Sequence, residues 1–201
     1  MIITDAKPVR KGRTQIYIDG EAAVQVSARL FGESRFQIGG EISDEELHEL
    51  FRNSERSLAH EKAIWLLSVR DYPKRALFDR LCSEFDSQCA EEVCNELEES
   101  GLISDEKYAR LRAQTMIETK GYSRRRAAWE LMKKGISRDL AQEAADEVEY
   151  DPAESAARLI ERRYPNVRSN ETELRRAAAF LERRGYSPRE IRAAFELLND
   201  L

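Results

Sequence analysis

Residues 120–137 read KGYSRRRAAWELMKKGIS. A Gly-Tyr-Ser step opens a short amphipathic stretch and a Gly-Ile-Ser step closes it, which predicts one helix between two turns. Three consecutive arginines, Arg124, Arg125 and Arg126, occupy the start of that helix. A helix N-terminus carries partial positive charge and favours Asp or Glu in its first turn. Elsewhere the chain usually follows that rule. Ser43 with Glu46 reads as a capping box, Ser104 is followed by Asp105 and Glu106, and Asp151-Pro152 with Glu154 and Ser187-Pro188 with Glu190 are start signals with proline at the first helical position. The three arginines therefore require a reason other than the stability of their own helix.

Working outward, the same pattern recurs when three segments are aligned on tyrosines: KAIWLLSVRDYPKRALFDRL on Tyr72, RAQTMIETKGYSRRRAAWEL on Tyr122 and RAAAFLERRGYSPREIRAAF on Tyr186. Each carries a base and an alanine (Lys62-Ala63, Arg112-Ala113, Arg176-Ala177), then an apolar pair (Leu66-Leu67, Met116-Ile117, Phe180-Leu181). Each has an arginine three residues after the tyrosine (Arg75, Arg125, Arg189) and apolar residues at the fifth and ninth places (Leu77 and Leu81, Ala127 and Leu131, Ile191 and Phe195). Alanine and the apolar pair share one face of a first helix, the tyrosine marks the turn, and the second helix returns an i, i+4 apolar pair. A third helix follows in the first two units, at 87–100 and at 137–149, the latter with Leu140, Ala144 and Val148 inward. Each unit is thus a small three-helix bundle with a helix-turn-helix-like core, too small to bury enough alone, so neighbours must stack. The third unit is irregular: a helix at about 152–163 precedes it and the sequence ends after its second helix.

The first 40 residues differ. TQIYI-DG-EAAVQVS alternates apolar and polar residues about Asp19-Gly20, which predicts a type I′ β-hairpin over 13–27, and RFQI at 35–38 reads as a further short strand. The expected fold is mostly α: tandem three-helix, helix-turn-helix-like repeats in an elongated, curved array, with a small N-terminal β-hairpin segment. The expected divisions are 1–40 (hairpin segment), 41–57 (linking helix), 58–103, 104–150 and 151–201 (helical repeats 1 to 3).

Charged residues make up 35% of the 201, aromatics 8%, and Gly plus Pro 14 residues, a composition that suits helices and excludes an all-β sandwich. The net charge of −5 disfavours nucleic acid as a partner, but the charges are segregated. Residues 39–61, 84–106 and 139–154 hold seven, nine and seven acids against two, no and no bases. Residues 107–138 hold ten bases against Glu118 and Glu130, and 158–192 ten arginines against five glutamates. A basic patch sustains a positive potential even on an acidic protein. No apolar run approaches a membrane span and no apolar signal core opens the chain. Cys82, Cys89 and Cys94 have neither zinc nor disulfide spacing, which fits a reducing cytoplasm.

KGYSRRRAAWELMKKGIS, the preceding GLISDEKYARLRA and the late FLERRGYSPREIRAAFELL together resemble the RecX regulatory proteins over about residues 58–200. The hairpin segment is similar to the extension of longer members. Asp71-Tyr72-Pro73 departs from the Gly-Tyr-Ser of the other units. The resemblance implies tandem three-helix repeats and a non-enzymatic modulator of the recombinase RecA. Such a protein lies in the groove of the RecA filament on single-stranded DNA and restrains strand exchange and cleavage of the SOS repressor in DNA repair.

Residues 124–134, drawn as a helix, place Ala127, Ala128, Leu131 and Met132 on one side and Arg126, Trp129 and Lys133 on the other. Two cations around an indole suit phosphate contact and stacking, or a protein hot spot. A packed Trp129 with solvated cations accounts for the same pattern. The expected filament-binding set is Arg124, Arg125, Arg126, Trp129, Lys133 and Lys134, flanked by Arg75 and Arg189. Arg162-Arg163 and Arg183-Arg184 are weaker candidates, and the acidic blocks read as solvated helix faces. His48 and His60 have no paired nucleophile, and no P-loop, G-x-G-x-x-G or H-E-x-x-H occurs, so no catalysis, cofactor or metal is expected. The expected partners are the RecA filament and its single-stranded DNA, bound by a monomer without membrane. The alternatives are a helix-turn-helix-like duplex-DNA binder and a helical scaffold touching no nucleic acid. Second helices rich in Arg, Ala and acids favour phosphate contact over base reading.

Overall fold

The structure is a computed structural model, described over residues 1–168 and 170–199; the end expected for the third repeat, at 201, lies outside the described residues. The chain divides into two compact units, Met1–Ile103 and Ser104–Leu201.

The first unit opens with an antiparallel sheet in the order β1 (Ile3–Pro8), β2 (Arg13–Ile18), β3 (Glu21–Ser27). β2 and β3 form the hairpin expected from Asp19-Gly20. Both residues have positive φ, 50° and 91°, as a type I′ turn requires. Strand β1 had no signal in the sequence: a register shift between Ile3 and Asp5 breaks its alternation, and it ends at Pro8, a residue suited to a sheet edge. RFQI is not a strand. After β3 the chain turns into the short helix α1 (Ala28–Glu33), with Ser27 as N-cap, and beyond Phe36 it meets the sheet edge through Gly39 N–H to Ile3 O, Ile3 N–H to Gly40 O and an isolated bridge between Ile2 and Glu41, without forming a strand. The sheet covers Ile3, Ile16, Val26, Ile42 and Leu50.

Helix α2 (Asp44–Val69) starts at the capping box of Ser43 and Glu46 and runs unbroken past residue 57. It serves two cores. Leu50 faces the sheet, where Ser54 Oγ accepts the buried Ser27 N–H and Glu55 pairs with Arg13 at 2.6 Å. Further along, Ala59, Ala63 and Leu66 face the first bundle, with Leu77 and Leu81 of α3 (Lys74–Leu81) and Val93, Cys94 and Leu97 of α4 (Ser87–Glu99). The cysteines are free thiols, and burial pushes Cys89 and Cys94 up to about 11. Several acids of the block at 84–106 form ion pairs at the surface. Glu84 pairs with Lys62 at 2.9 Å, Glu98 with Lys74 at 2.5 Å, and Glu96 with Arg56.

The second unit holds two three-helix cores. In one, α5 (Asp105–Gln114) continues as a π-helical turn, Thr115–Thr119, and is followed by α6 (Arg124–Met132) and α7 (Arg138–Asp146). Its core is rich in alanine (Ala109, Ala113, Ala127, Ala141, Ala144, Ala145), which lets the helices approach closely around Ile117 and Leu131. Leu140, Ala144 and Val148 point inward as expected, whereas Met132, at the last position of α6, is exposed. The other core is made by α8 (Pro152–Arg163), α9 (Glu171–Arg183) and α10 (Pro188–Asn199) around Ile160, Phe180, Leu181, Tyr186 and Leu198.

This arrangement corrects the alignment of the third unit. α8 is the first helix of its own bundle, so Tyr186 sits before the third helix and not before the second. Its counterpart in the preceding bundle is Ile136: each follows a glycine of positive φ (Gly135, 91°; Gly185, 90°), and each donates its N–H five residues back, Ile136 to Leu131 O and Tyr186 to Leu181 O. The repeated Gly-Tyr-Ser is therefore not one position of one repeat.

Candidate functional site

The N-terminus of α6 is buried between the two bundles of the second unit. Ser123, only 2% exposed, caps α6 by accepting the Arg126 N–H, and donates its own N–H to Arg184 O at 3.0 Å. Arg184 is the C-cap of α9. The positive end of α6 thus abuts the negative end of α9, a favourable alignment of helix dipoles. The two Gly-Tyr-Ser turns meet here. A Cβ on Gly185 would fall 2.6 Å from both Arg126 Cβ and Ser123 Oγ, and one on Gly121 2.7 Å from a Leu159 methyl.

The arginines have separate employments. The Arg124 guanidinium donates through Nη2 to Val148 O at 2.7 Å and lies 5.1 Å from the centre of the Tyr150 ring, while its backbone N–H donates to Tyr150 Oη at 3.1 Å. Val148 follows α7, so this cation stands at the N-terminus of its own helix but at the C-terminal end of another, where positive charge is favoured. Arg126 pairs with Glu130 one turn on, Nη2 to Oε1 at 2.5 Å, and lies over Tyr122 and Trp129. Arg125 is exposed and, among the described residues, has no hydrogen-bond or ion-pair partner.

Trp129 is 42% exposed, with Arg126 4.3 Å and Lys133 Nζ 4.4 Å from its ring centre. Lys133 and Lys134 are exposed and form no ion pair among the described residues. Lys133 thus stands beside the half-exposed indole, Arg125 and Lys134 are exposed on and just beyond the same helix, and Arg124 and Arg126 are engaged largely within the unit. Arg75 lies on α3 in the first unit, paired with Asp79 at 3.1 Å and placed over Phe78. Arg189 is exposed in the first turn of α10, a third helix of its bundle, whereas Arg125 begins a second helix. These two do not occupy equivalent places. The sequence offered Arg183-Arg184 only as weaker binding candidates and Tyr122 only as a turn marker, and missed that Tyr122 and Arg184 meet at the bundle boundary; the doubled Gly-Tyr-Ser was the available signal, read as repetition instead of contact.

Comparison with known proteins agrees with this architecture. The family model for the second three-helix domain of RecX matches residues 104–144, and that for the third matches 149–195, which frames α8, α9 and α10 as one domain. A regulatory protein RecX of Clostridioides difficile (strain 630) is 29% identical over 160 residues, covering 79% of this chain and 76% of its own. One from Trichlorobacter lovleyi is 32% identical over 144 residues, covering 67% of this chain and 91% of its own. A crystal structure of regulatory protein RecX superposes with a TM-score of 0.68 at 21% identity, covering 97% of this chain and 98% of that one, a likeness of fold.

Proposed function

The chain belongs to the RecX family of regulatory proteins, and from that premise we propose that it modulates RecA by binding the filament that RecA forms on single-stranded DNA, without catalysis of its own. The observation that supports this reading is the surface of α6. In a molecule of net charge −5, Arg125, Lys133 and Lys134 are exposed and, among the described residues, without acidic partners, and Lys133 lies beside a half-exposed indole. Unpaired cations lose little on meeting phosphates, and an indole with cations beside it adds stacking or hot-spot contact. Many weak contacts of this kind along a repeating filament multiply through effective concentration.

Base-specific reading of duplex DNA has less support. α6 carries no Asn or Gln, and its first and third arginines are engaged inside the unit. The deciding assay is DNA-stimulated ATP hydrolysis by RecA with substoichiometric amounts of this protein. Inhibition is expected. No effect, with tight sequence-dependent duplex binding instead, refutes the proposal. The triple variant Arg125→Ala, Lys133→Ala, Lys134→Ala keeps the fold and weakens filament affinity. Its log-log salt slope falls by roughly 0.7 for each phosphate that is no longer neutralised. An unchanged slope would show that these side chains touch no phosphate.

A further inference from the structure

The exposed Trp129 is held from further away than its own helix. Lys133 and Arg126 lie beside its ring, and Arg126 also lies 5.8 Å from the centre of Tyr122. The other cation at that tyrosine is Arg184 of the next bundle, at 5.7 Å. Arg184 continues to Phe180 at 4.5 Å, and Arg163, at the end of α8, reaches Phe180 at 5.0 Å. Cations and rings alternate without a break from the C-terminal end of α6 to that of α8, and the run crosses between bundles at Tyr122.

We infer that Tyr122 is a positioning residue. Its ring couples Arg184 to Arg126 and so fixes how the Arg126, Trp129 and Lys133 stripe is presented. The third bundle thereby sets the geometry of a surface that lies on the second. Close docking at the same boundary supports this: Ser123 N–H is bound to Arg184 O, and Gly185 leaves no room for a Cβ against Arg126. The two backbones cannot drift apart without breaking that bond, so the ring is confined between its two guanidiniums. The attraction acts on the ring face. Among the described residues the Tyr122 hydroxyl makes no hydrogen bond, so phenylalanine should serve and leucine should not. The consequence for RecA rests on the function proposed above; the coupling itself does not.

The test uses a Trp65→Phe background, in which Trp129 is the sole indole of the chain. Acrylamide quenching of Trp129 is compared for the parent, Tyr122→Phe, Tyr122→Leu and Arg184→Gln. A partly exposed cation–π contact of about 0.5–1 kcal/mol corresponds to about a two- to fivefold shift in local populations. Quenching is therefore expected to rise about twofold or more in Tyr122→Leu and Arg184→Gln, and to stay at the parent value in Tyr122→Phe. Should the leucine variant lose helical circular dichroism, Arg184→Gln decides the matter, since its backbone bond to Ser123 is untouched. Parental quenching in a folded Arg184→Gln overturns the inference, as does a Tyr122→Phe that behaves like the leucine variant. Half-inhibitory concentrations for RecA ATP hydrolysis should follow the quenching. If quenching responds and inhibition does not, the coupling stands and the filament reading of the stripe falls.

Discussion

Replacing Gly185 by alanine tests the junction on which the second unit is built. Two costs combine. The residue sits at φ +90°, where an L side chain costs about 1–2 kcal/mol. The new Cβ would also lie 2.6 Å from Arg126 Cβ and Ser123 Oγ and 3.2 Å from Arg126 N. Those atoms belong to the first turn of α6 and its cap, which cannot swing aside as a flexible side-chain tip can. Overpacking of this kind costs typically about 1–3 kcal/mol. The sum is about 2–5 kcal/mol. In a unit of about 100 residues each kcal/mol lowers Tm by about 4–8 °C, so the drop should exceed about 8 °C. Gly101→Ala supplies the comparison: φ is +73°, but nothing lies within 4 Å of the added carbon, so only the backbone cost applies. Scanning calorimetry of both variants reads the difference. Equal shifts for the two substitutions would refute the claim that the second and third bundles are in close backbone contact at this glycine.

Two further outcomes follow from the same unit. Arg124→Ala strips Val148 O of its guanidinium donor and should lower stability by about 1–3 kcal/mol in urea unfolding, whereas Arg125→Ala, exposed and unpartnered, should stay within about 0.5 kcal/mol; equal effects would mean that the division of labour among the arginines is wrong. Burial raises the phenols of Tyr150 and Tyr186 above the ordinary 10.0, so the fold favours their neutral forms. That stabilisation is complete below the ordinary phenol value and is lost as pH rises through the higher folded-state values. Urea midpoints measured from about pH 8 upward should therefore fall at alkaline pH. The fall should be shallower in Tyr186→Phe; an identical profile would remove Tyr186 as a cause.

The sequence alone determined the helices of the bundles, four of their start signals and the family resemblance, but not the short helix α1. Start signals at Ser43, Ser104, Asp151 and Ser187 act within four residues, and apolar spacing declares a helix's inner face without reference to its neighbours. The hairpin at Asp19-Gly20 was legible for the same reason, since a turn needing two positive φ values leaves a local mark. Strand β1 left none, because its pairing with β2 is made across the sheet and its own pattern is broken by a bulge and a proline.

Only the tertiary structure decided what the three arginines do. Composition showed a cationic helix start, and no rule of spacing could reveal that Val148 O and Tyr150 take Arg124 while Arg125 is left open. The third repeat's frame was settled in the same way. Two Gly-Tyr-Ser turns look like one repeated position in a linear comparison, yet they are opposite sides of one contact, with Ser123 bonded to Arg184. Local chemistry fixes what each segment becomes; which segments touch depends on bringing together residues far apart along the chain, and that information is carried by packing, which a linear pattern does not encode.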